Sequence, residues 1–151
     1  MSLLESLRKA RIFSGLSQGD LQGIAKLCQQ RVYNQNDVIL SEGEGSNELF
    51  IIGQGTVEVS ISMSGETSNP LMNLGVGQVV GEMALVDRGA RSATVKAMKD
   101  ETVLYVIPHE VFHQLCEKDN HIGFIVMRNL AAEMSLKLRY RNIAEQMDTA
   151  G

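Results

Sequence analysis

The run Glu48-Leu49-Phe50-Ile51-Ile52-Gly53-Gln54-Gly55-Thr56-Val57-Glu58-Val59 sets two apolar segments on either side of a pair of glycines. Glycine supplies the backbone freedom that a sharp turn needs, so this pattern predicts a strand, a turn and a returning strand. The third glycine and the following helix of a dinucleotide-binding turn are missing after Gly55. The run is therefore interpreted as a β element.

Short apolar runs alternate with turns in both directions from this segment, between Arg31 and Ile107. Gly, Asn, Asp and Ser separate the runs. Short strands at even spacing with such turns are typical of a sandwich or a barrel. The predicted strands are 38–40, 49–52, 57–61, 71–74, 93–97 and 103–107.

Both ends of the sequence have helical spacing instead. Leucines recur at this spacing near the N-terminus, and Ser17 followed by Asp20 predicts a second helix that begins with a capping box. Pro108 suits the first turn of a helix, so we expect helices over 109–117 and 121–147. We expect a single domain, 1–151, with N-terminal helices over 1–30, a β-region over 31–107 and C-terminal helices over 108–147.

The longer C-terminal helix carries two apolar stripes, which indicates more than one packing partner. One stripe comprises Phe124, Met127, Ala131, Met134 and Leu138, and the other comprises Ile122, Ile125, Asn129, Ala132, Leu136 and Ile143. Either both stripes cover the domain's own sheet, or one forms the seam of a homodimer, and the spacing favours neither. The basic run 137–141 is typical of a solvated helix face.

The composition is that of an ordinary globular domain and argues against several classes of function. The 151 residues are 44% hydrophobic and 21% charged, with a net charge of −4 and a pI of about 5.4. A chain that binds nucleic acid by itself needs a basic surface, so we expect no direct nucleic-acid binding. The sequence has no membrane-spanning apolar run and no secretory signal, which predicts a cytoplasmic protein that does not bind membranes.

Cysteines and histidines give no sign of a catalytic or metal centre. Cys28 and Cys116 lie far apart in apolar, helical settings, which favours reduced thiols over a disulfide. His109 and His113 are four residues apart, but no acid or thiol completes a metalloenzyme set with them. We expect His109, His113 and His121 at the surface, no metal cofactor and no enzyme activity.

A second run, Gly81-Glu82-Met83-Ala84-Leu85-Val86-Asp87-Arg88-Gly89-Ala90-Arg91-Ser92-Ala93-Thr94, combines groups that suit a sugar phosphate. Glu82 can accept hydrogen bonds from sugar hydroxyls. The planar, always-charged guanidinium of Arg91 suits a phosphate. A glycine-led turn that opens into a short helix offers backbone N–H groups to an anion.

In wording and spacing this run resembles the phosphate-binding cassette of cyclic-nucleotide-binding domains. That family includes the catabolite activator protein, protein kinase A regulatory subunits and cyclic-nucleotide-gated channels. The resemblance extends over roughly residues 10–147 and departs at Ala90, where the family commonly has Pro or Gln. It implies an α+β fold, in which an antiparallel β-roll (a jelly-roll-like double-stranded β-helix) is flanked by N-terminal helices and a long C-terminal helix.

The resemblance also implies residue roles. Glu82 would accept a hydrogen bond from the ribose 2′-hydroxyl, and Arg91 would pair with the cyclic phosphate. Backbone N–H groups of Ala84 and Ser92 would bind phosphate oxygens, with Gly81 allowing close approach. The expected ligand-binding set is Gly81, Glu82, Met83, Ala84, Arg91, Ser92 and Ala93. The base would lie against Val59, Leu71, Met72 and Val80, under a lid of Tyr140, Arg141 and Asn142.

These roles describe binding rather than chemistry. The expected ligand is cyclic AMP, with cyclic GMP as the alternative, because a hydroxyl such as that of Ser92 can favour guanine in the family. The resemblance implies a sensor that signals to an effector protein or domain, or to a homodimer mate, when its C-terminal helix moves. The alternative is the ligand-sensing portion of a catabolite-activator-type transcription regulator, whose DNA-binding domain is absent from residues 1–151.

Overall fold

Two four-stranded antiparallel sheets form the centre of the computed structural model, which describes residues 2–45, 47–62, 68–86 and 93–150. The strand orders are β1-β8-β3-β6 and β2-β7-β4-β5. The strands are β1 Gln29–Tyr33, β2 Val38–Leu40, β3 Glu48–Gln54, β4 Val57–Ser62, β5 Ser68–Leu74, β6 Val79–Val80, β7 Thr94–Ala97 and β8 Thr102–Pro108. This arrangement confirms the predicted β-roll with flanking helices.

The chain alternates between the two sheets, which makes the fold a roll rather than a stack of hairpins. Within the described residues, β4 and β5 are the only consecutive strands that pair with each other. Gly55 and Thr56 form a corner between the sheets, because β3 ends at Gln54 in one sheet and β4 begins at Val57 in the other. Gly55 has a φ of 85°, in the left-handed region that favours glycine. The returning strand therefore pairs with β5 and β7, not with β3.

The continuous hydrophobic run of β3 follows from burial on both of its faces. Side chains alternate across a strand, so Phe50 and Ile52 point one way while Leu49 and Ile51 point the other. Phe50 and Ile52 belong to the cluster between the sheets, together with Val57 and Leu104 from β4 and β8. Leu49 and Ile51 belong to a second cluster, which the helices cover.

Helices flank the roll at both ends of the chain. They are α1 Leu3–Lys9, a short 3-10 helix Arg11–Phe13, α2 Gln18–Ala25, α3 His109–Lys118 and α4 Asn120–Ala150. The predicted capping box of α2 is confirmed, because Ser17 Oγ accepts from the Asp20 N–H and Asp20 Oδ2 accepts from the Ser17 N–H, both at 3.1 Å. None of the described helices has the length and apolarity that crossing a bilayer requires.

Among the side chains of α4 that the structure describes, the buried ones lie in the first half of the helix. Ile122 and Leu130 are each 2% exposed, and the Asn129 side-chain amide donates to the carbonyls of Ile12 and Ser14 at 2.9 and 2.8 Å. By contrast, Phe124 is 63% exposed and Leu138 is 59% exposed. The interpretation that both stripes cover the domain's own sheet is therefore wrong. The buried part packs against α3 and the N-terminal 3-10 helix instead.

Candidate ligand-binding site

Gly81 forms the entry to the candidate site, between β6 and a 3-10 helix of residues Glu82–Leu85, here called the cassette helix. Its φ of 86° and ψ of 6° place it in the left-handed region, where other L-residues are strained. Glu82 follows at once, half-buried, in the first turn of the cassette helix. Ala84 and Leu85 are buried, whereas Met83 is exposed. Ala84 and Leu85 thus anchor the turn that contains Glu82.

Arg91 and Ser92, the predicted phosphate-binding residues, lie outside the described residues. The chain is described again from Ala93, which is half-buried and directly precedes β7. There Thr94 Oγ1 accepts from the Glu42 N–H at 3.0 Å, and Glu42 Oε2 accepts from the Ser62 N–H at 2.9 Å. Glu42, a residue that the sequence did not single out, therefore ties the start of β7 to the end of β4.

The predicted base wall divides between the core and the surface. Val59 and Met72 are cross-strand partners, but Ser60 pairs with Pro70, so Leu71 is the extra residue of a β-bulge on the edge strand β5. Leu71 and Met72 are each 53% exposed and offer apolar surface to solvent. Val59 packs partly against the core between the sheets. Val80 is buried within that core and so anchors β6 to it.

The predicted lid residues are not packed on the roll in this structure. Tyr140 is 70% exposed, and Arg141 and Asn142 are also exposed. They belong to the second half of α4, beyond the buried contacts that Leu130 makes. The structure therefore places Gly81, Glu82, Met83 and Ala84 in one turn, whereas Tyr140, Arg141 and Asn142 are exposed on α4.

His109, predicted at the surface, is buried beside the cassette, so that prediction is wrong. It is 6% exposed, and its Nε2 lies 3.1 Å from the carbonyl oxygen of Gly81. Its backbone N–H donates to the carbonyl of Asn47, just before β3. Of the other histidines, His113 is half-buried and His121 is exposed. The sequence signal was available in the position of His109, directly after an apolar strand and one helical turn before Phe112.

The two cysteines are free and unlike reactive thiols. Burial raises the pKa of Cys28 to about 12, so its thiol stays protonated at neutral pH. Burial, and then the charge of Asp119, raises the pKa of Cys116. Across the described ranges, no three His, Cys, Asp or Glu side chains form a group that could hold a metal ion.

The sequence from residue 30 to residue 119 matches the family described as the cyclic nucleotide-binding domain. The chain belongs to this family. The matched region runs from β1 to the end of α3 and so contains the whole cassette.

Relatives of this cyclic nucleotide-binding domain occur in proteins of different architecture. It is 29% identical over 138 residues to the cyclic AMP receptor protein of Thermus thermophilus, which covers 88% of this chain and 59% of that protein. It is 31% identical over 109 residues to human cGMP-dependent protein kinase 2, which covers 72% of this chain and 14% of the kinase. The chain thus spans less than two thirds of either relative.

A solved structure agrees with the sequence relatives. The Thermus thermophilus catabolite activator protein superposes with a TM-score of 0.81 at 28% identity. The superposition covers 91% of this chain and 62% of that protein. The shared part includes the β-roll, since it extends over nearly all of the sequence.

Proposed function

We propose that this domain is a non-catalytic sensor of cyclic AMP. The observation that carries the proposal is the left-handed Gly81 followed at once by the cassette helix with Glu82 in its first turn. In the proposed complex Glu82 accepts from the ribose hydroxyl, Arg91 pairs with the cyclic phosphate, and N–H groups of Ala84 and Ser92 bind phosphate oxygens. Each role is a hydrogen bond or an ion pair, so the nucleotide acts as a signal rather than a substrate.

The proposed preference for adenine rests on the residues after Arg91. Arg91-Ser92-Ala93 resembles the catabolite activator branch, which combines the same small residue with adenine. The Thermus relative is named a cyclic AMP receptor, which supports the same choice. Cyclic GMP is the alternative, because the Ser92 hydroxyl can favour guanine and the human relative is a cGMP-dependent kinase.

Titration of the 151-residue chain with cyclic AMP is expected to give saturable heat with a Kd of about 1 μM or below. The matched control is 5′-AMP, which has the same base and sugar but an open phosphate, and it should bind more weakly. Isothermal calorimetry and the shift in Tm measure both. If neither cyclic AMP nor cyclic GMP gives heat or raises the Tm, the proposed function is wrong. Tighter binding of cyclic GMP would reverse only the base preference.

We infer that the output of the sensor is movement of the second half of α4. The first half is fixed by Ile122, Leu130 and the two hydrogen bonds of Asn129. In the second half, the side chains of Leu138 and Tyr140 are 59% and 70% exposed. A tyrosine ring can stack on a purine, and the Asn142 amide can bond the edge of the base. Closure over bound nucleotide would expose a different helix surface to a cytoplasmic effector protein or domain.

Truncation after Leu136 is expected to leave the domain folded and to weaken nucleotide binding at least about fivefold. The removed side chains include exposed Leu138 and Tyr140, so their loss should change the unfolding midpoint little. Calorimetry measures affinity, and urea unfolding measures stability. Tyr140→Ala in the full chain is the matched variant, because it removes the stacking ring alone. Unchanged affinity in both proteins would show that α4 provides no lid.

A homodimer through α4 is the second proposed partner interaction. The exposed stripe repeats with the spacing of a helix–helix seam from Phe124 to Leu138. Light scattering of the full chain should give the mass of a dimer, and Phe124→Asp, which places a charge in the exposed stripe, should shift the mass towards that of the monomer. A monomeric full chain at the concentration used for calorimetry would exclude this seam.

The ligand-sensing portion of a catabolite-activator-type transcription regulator is the second candidate function. The Thermus cyclic AMP receptor protein, which matches 88% of this chain, favours it. A reading frame that continues past Gly151 into a helix-turn-helix segment would favour this candidate over a stand-alone module. In either case the nucleotide site and its residues are the same.

A further inference from the structure

His109 lies where three parts of the domain meet. It follows β8 directly, its backbone N–H is bonded to Asn47 before β3, and its ring reaches the turn at the end of β6. A carbonyl oxygen can only accept a hydrogen bond, so Nε2 of His109 carries the proton and donates to Gly81. The ring is 6% exposed, so water cannot easily replace this donor.

The position of the Gly81 carbonyl determines the direction of the next residue. The Gly81 carbonyl and the Glu82 N–H belong to one planar peptide group, so holding the oxygen also orients the N–H and the start of the cassette helix. Gly81 is left-handed, with a φ of 86°, and a flexible glycine needs an external contact to hold one conformation. Glu82 is the first residue that this peptide orients.

We propose that His109 is a positioning residue of the nucleotide site, which fixes the Gly81–Glu82 peptide. His109 is the first residue of α3, and α3 packs against both the cassette helix and α4. Leu85 of the cassette helix and Phe112 of α3 also lie in the same core cluster. Gly81 is thus bound to α3 through a hydrogen bond, beside the apolar packing between the cassette helix and α3.

The shape of the imidazole gives a sharp test of this role. In side-chain reach, the amide nitrogen of glutamine mimics Nε2, whereas that of asparagine mimics Nδ1. His109→Gln keeps a donor near the Gly81 carbonyl, and His109→Asn places its donor too far back. His113→Asn is the matched control, because His113 is on the same helix and only half-buried.

Hydrogen exchange of the ligand-free full chain measures how well the backbone amides of the cassette helix are protected when no nucleotide is present. His109→Asn should speed exchange of the Glu82–Val86 amides about tenfold relative to the wild type, while peptides from β1 and α2 stay unchanged. His109→Gln should restore most of the protection. The positioning role would be overturned if the Glu82–Val86 amides of His109→Asn exchanged at the wild-type rate, or if protection were lost equally throughout the domain.

Calorimetry with cyclic AMP supplies the second readout and rests on the proposed function. His109→Asn should weaken binding about tenfold, His109→Gln about threefold or less, and His113→Asn not at all. Loss of stability with unchanged affinity would mean that His109 is only structural. If the wild type binds no cyclic nucleotide, the proposed function fails, while the exchange experiment still decides the role of His109.

Discussion

Arg91→Ala is expected to weaken cyclic AMP binding by about 2–4 kcal/mol, or roughly 30- to 700-fold. In the proposed complex the guanidinium forms two parallel, charge-assisted hydrogen bonds with the cyclic phosphate. Removing it leaves the only full negative charge of the ligand without its partner. Calorimetry measures the loss of affinity, and the Tm of the ligand-free variant shows whether the domain still folds.

Arg91→Lys is the matched control, because it keeps the positive charge and loses only the planar fork. We expect Arg91→Lys to lose affinity for cyclic AMP, but less than Arg91→Ala does. If Arg91→Lys binds cyclic AMP with wild-type affinity, the bidentate role is contradicted, and charge attraction alone accounts for the contribution of Arg91. Unchanged affinity in Arg91→Ala would remove Arg91 from the site altogether.

The strands that the sequence predicted are those with a clear burial pattern. β3 is apolar on both faces because it separates the two core clusters, and its run is visible without a structure. β1 was missed because it begins with polar residues, Gln29-Gln30-Arg31, and is an edge strand. Of these residues, Arg31 makes a long-range ion pair, in which its Nη1 and Nη2 donate to Glu48 Oε1 and Oε2 at 3.1 and 2.7 Å. β6 was missed because it has only two residues.

The candidate site also contains features that neighbouring residues determine and features that depend on contacts distant in sequence. The left-handed turn at Gly81 and the short helix with Glu82 are properties of a few neighbouring residues, so their pattern was readable. The burial of His109 could have been inferred from its position before Phe112, but its contact with Gly81 spans 28 residues of sequence, and no local pattern encodes that pairing. The bulge at Leu71 likewise depends on the register between β4 and β5.

Gly55→Ala is expected to destabilise the domain by about 2–5 kcal/mol, measured as the free energy of unfolding in urea. Gly55 has a φ of 85°, and an added Cβ would lie 2.7 Å from Thr102 Oγ1 and 3.2 Å from Thr102 Cα. Thr102 is fully buried, and its hydroxyl donates to the Lys99 carbonyl at 2.8 Å, so it has little room to move. The strain of a left-handed alanine and the steric overlap therefore add.

Gly43→Ala separates these two contributions, since Gly43 has nearly the same φ, 84°, but nothing within 4 Å of the added Cβ. It should cost only the backbone strain, about 1–2 kcal/mol. The difference between the two variants then measures how tightly the corner between the sheets is held. Gln54 donates to the Glu101 carbonyl at 2.9 Å, and Thr56 accepts from the Met98 N–H at 2.9 Å, so both sides of Gly55 are fixed to the β7–β8 turn. Equal destabilisation of the two variants would show that this corner relaxes, and that glycine is needed at position 55 for its backbone angle alone.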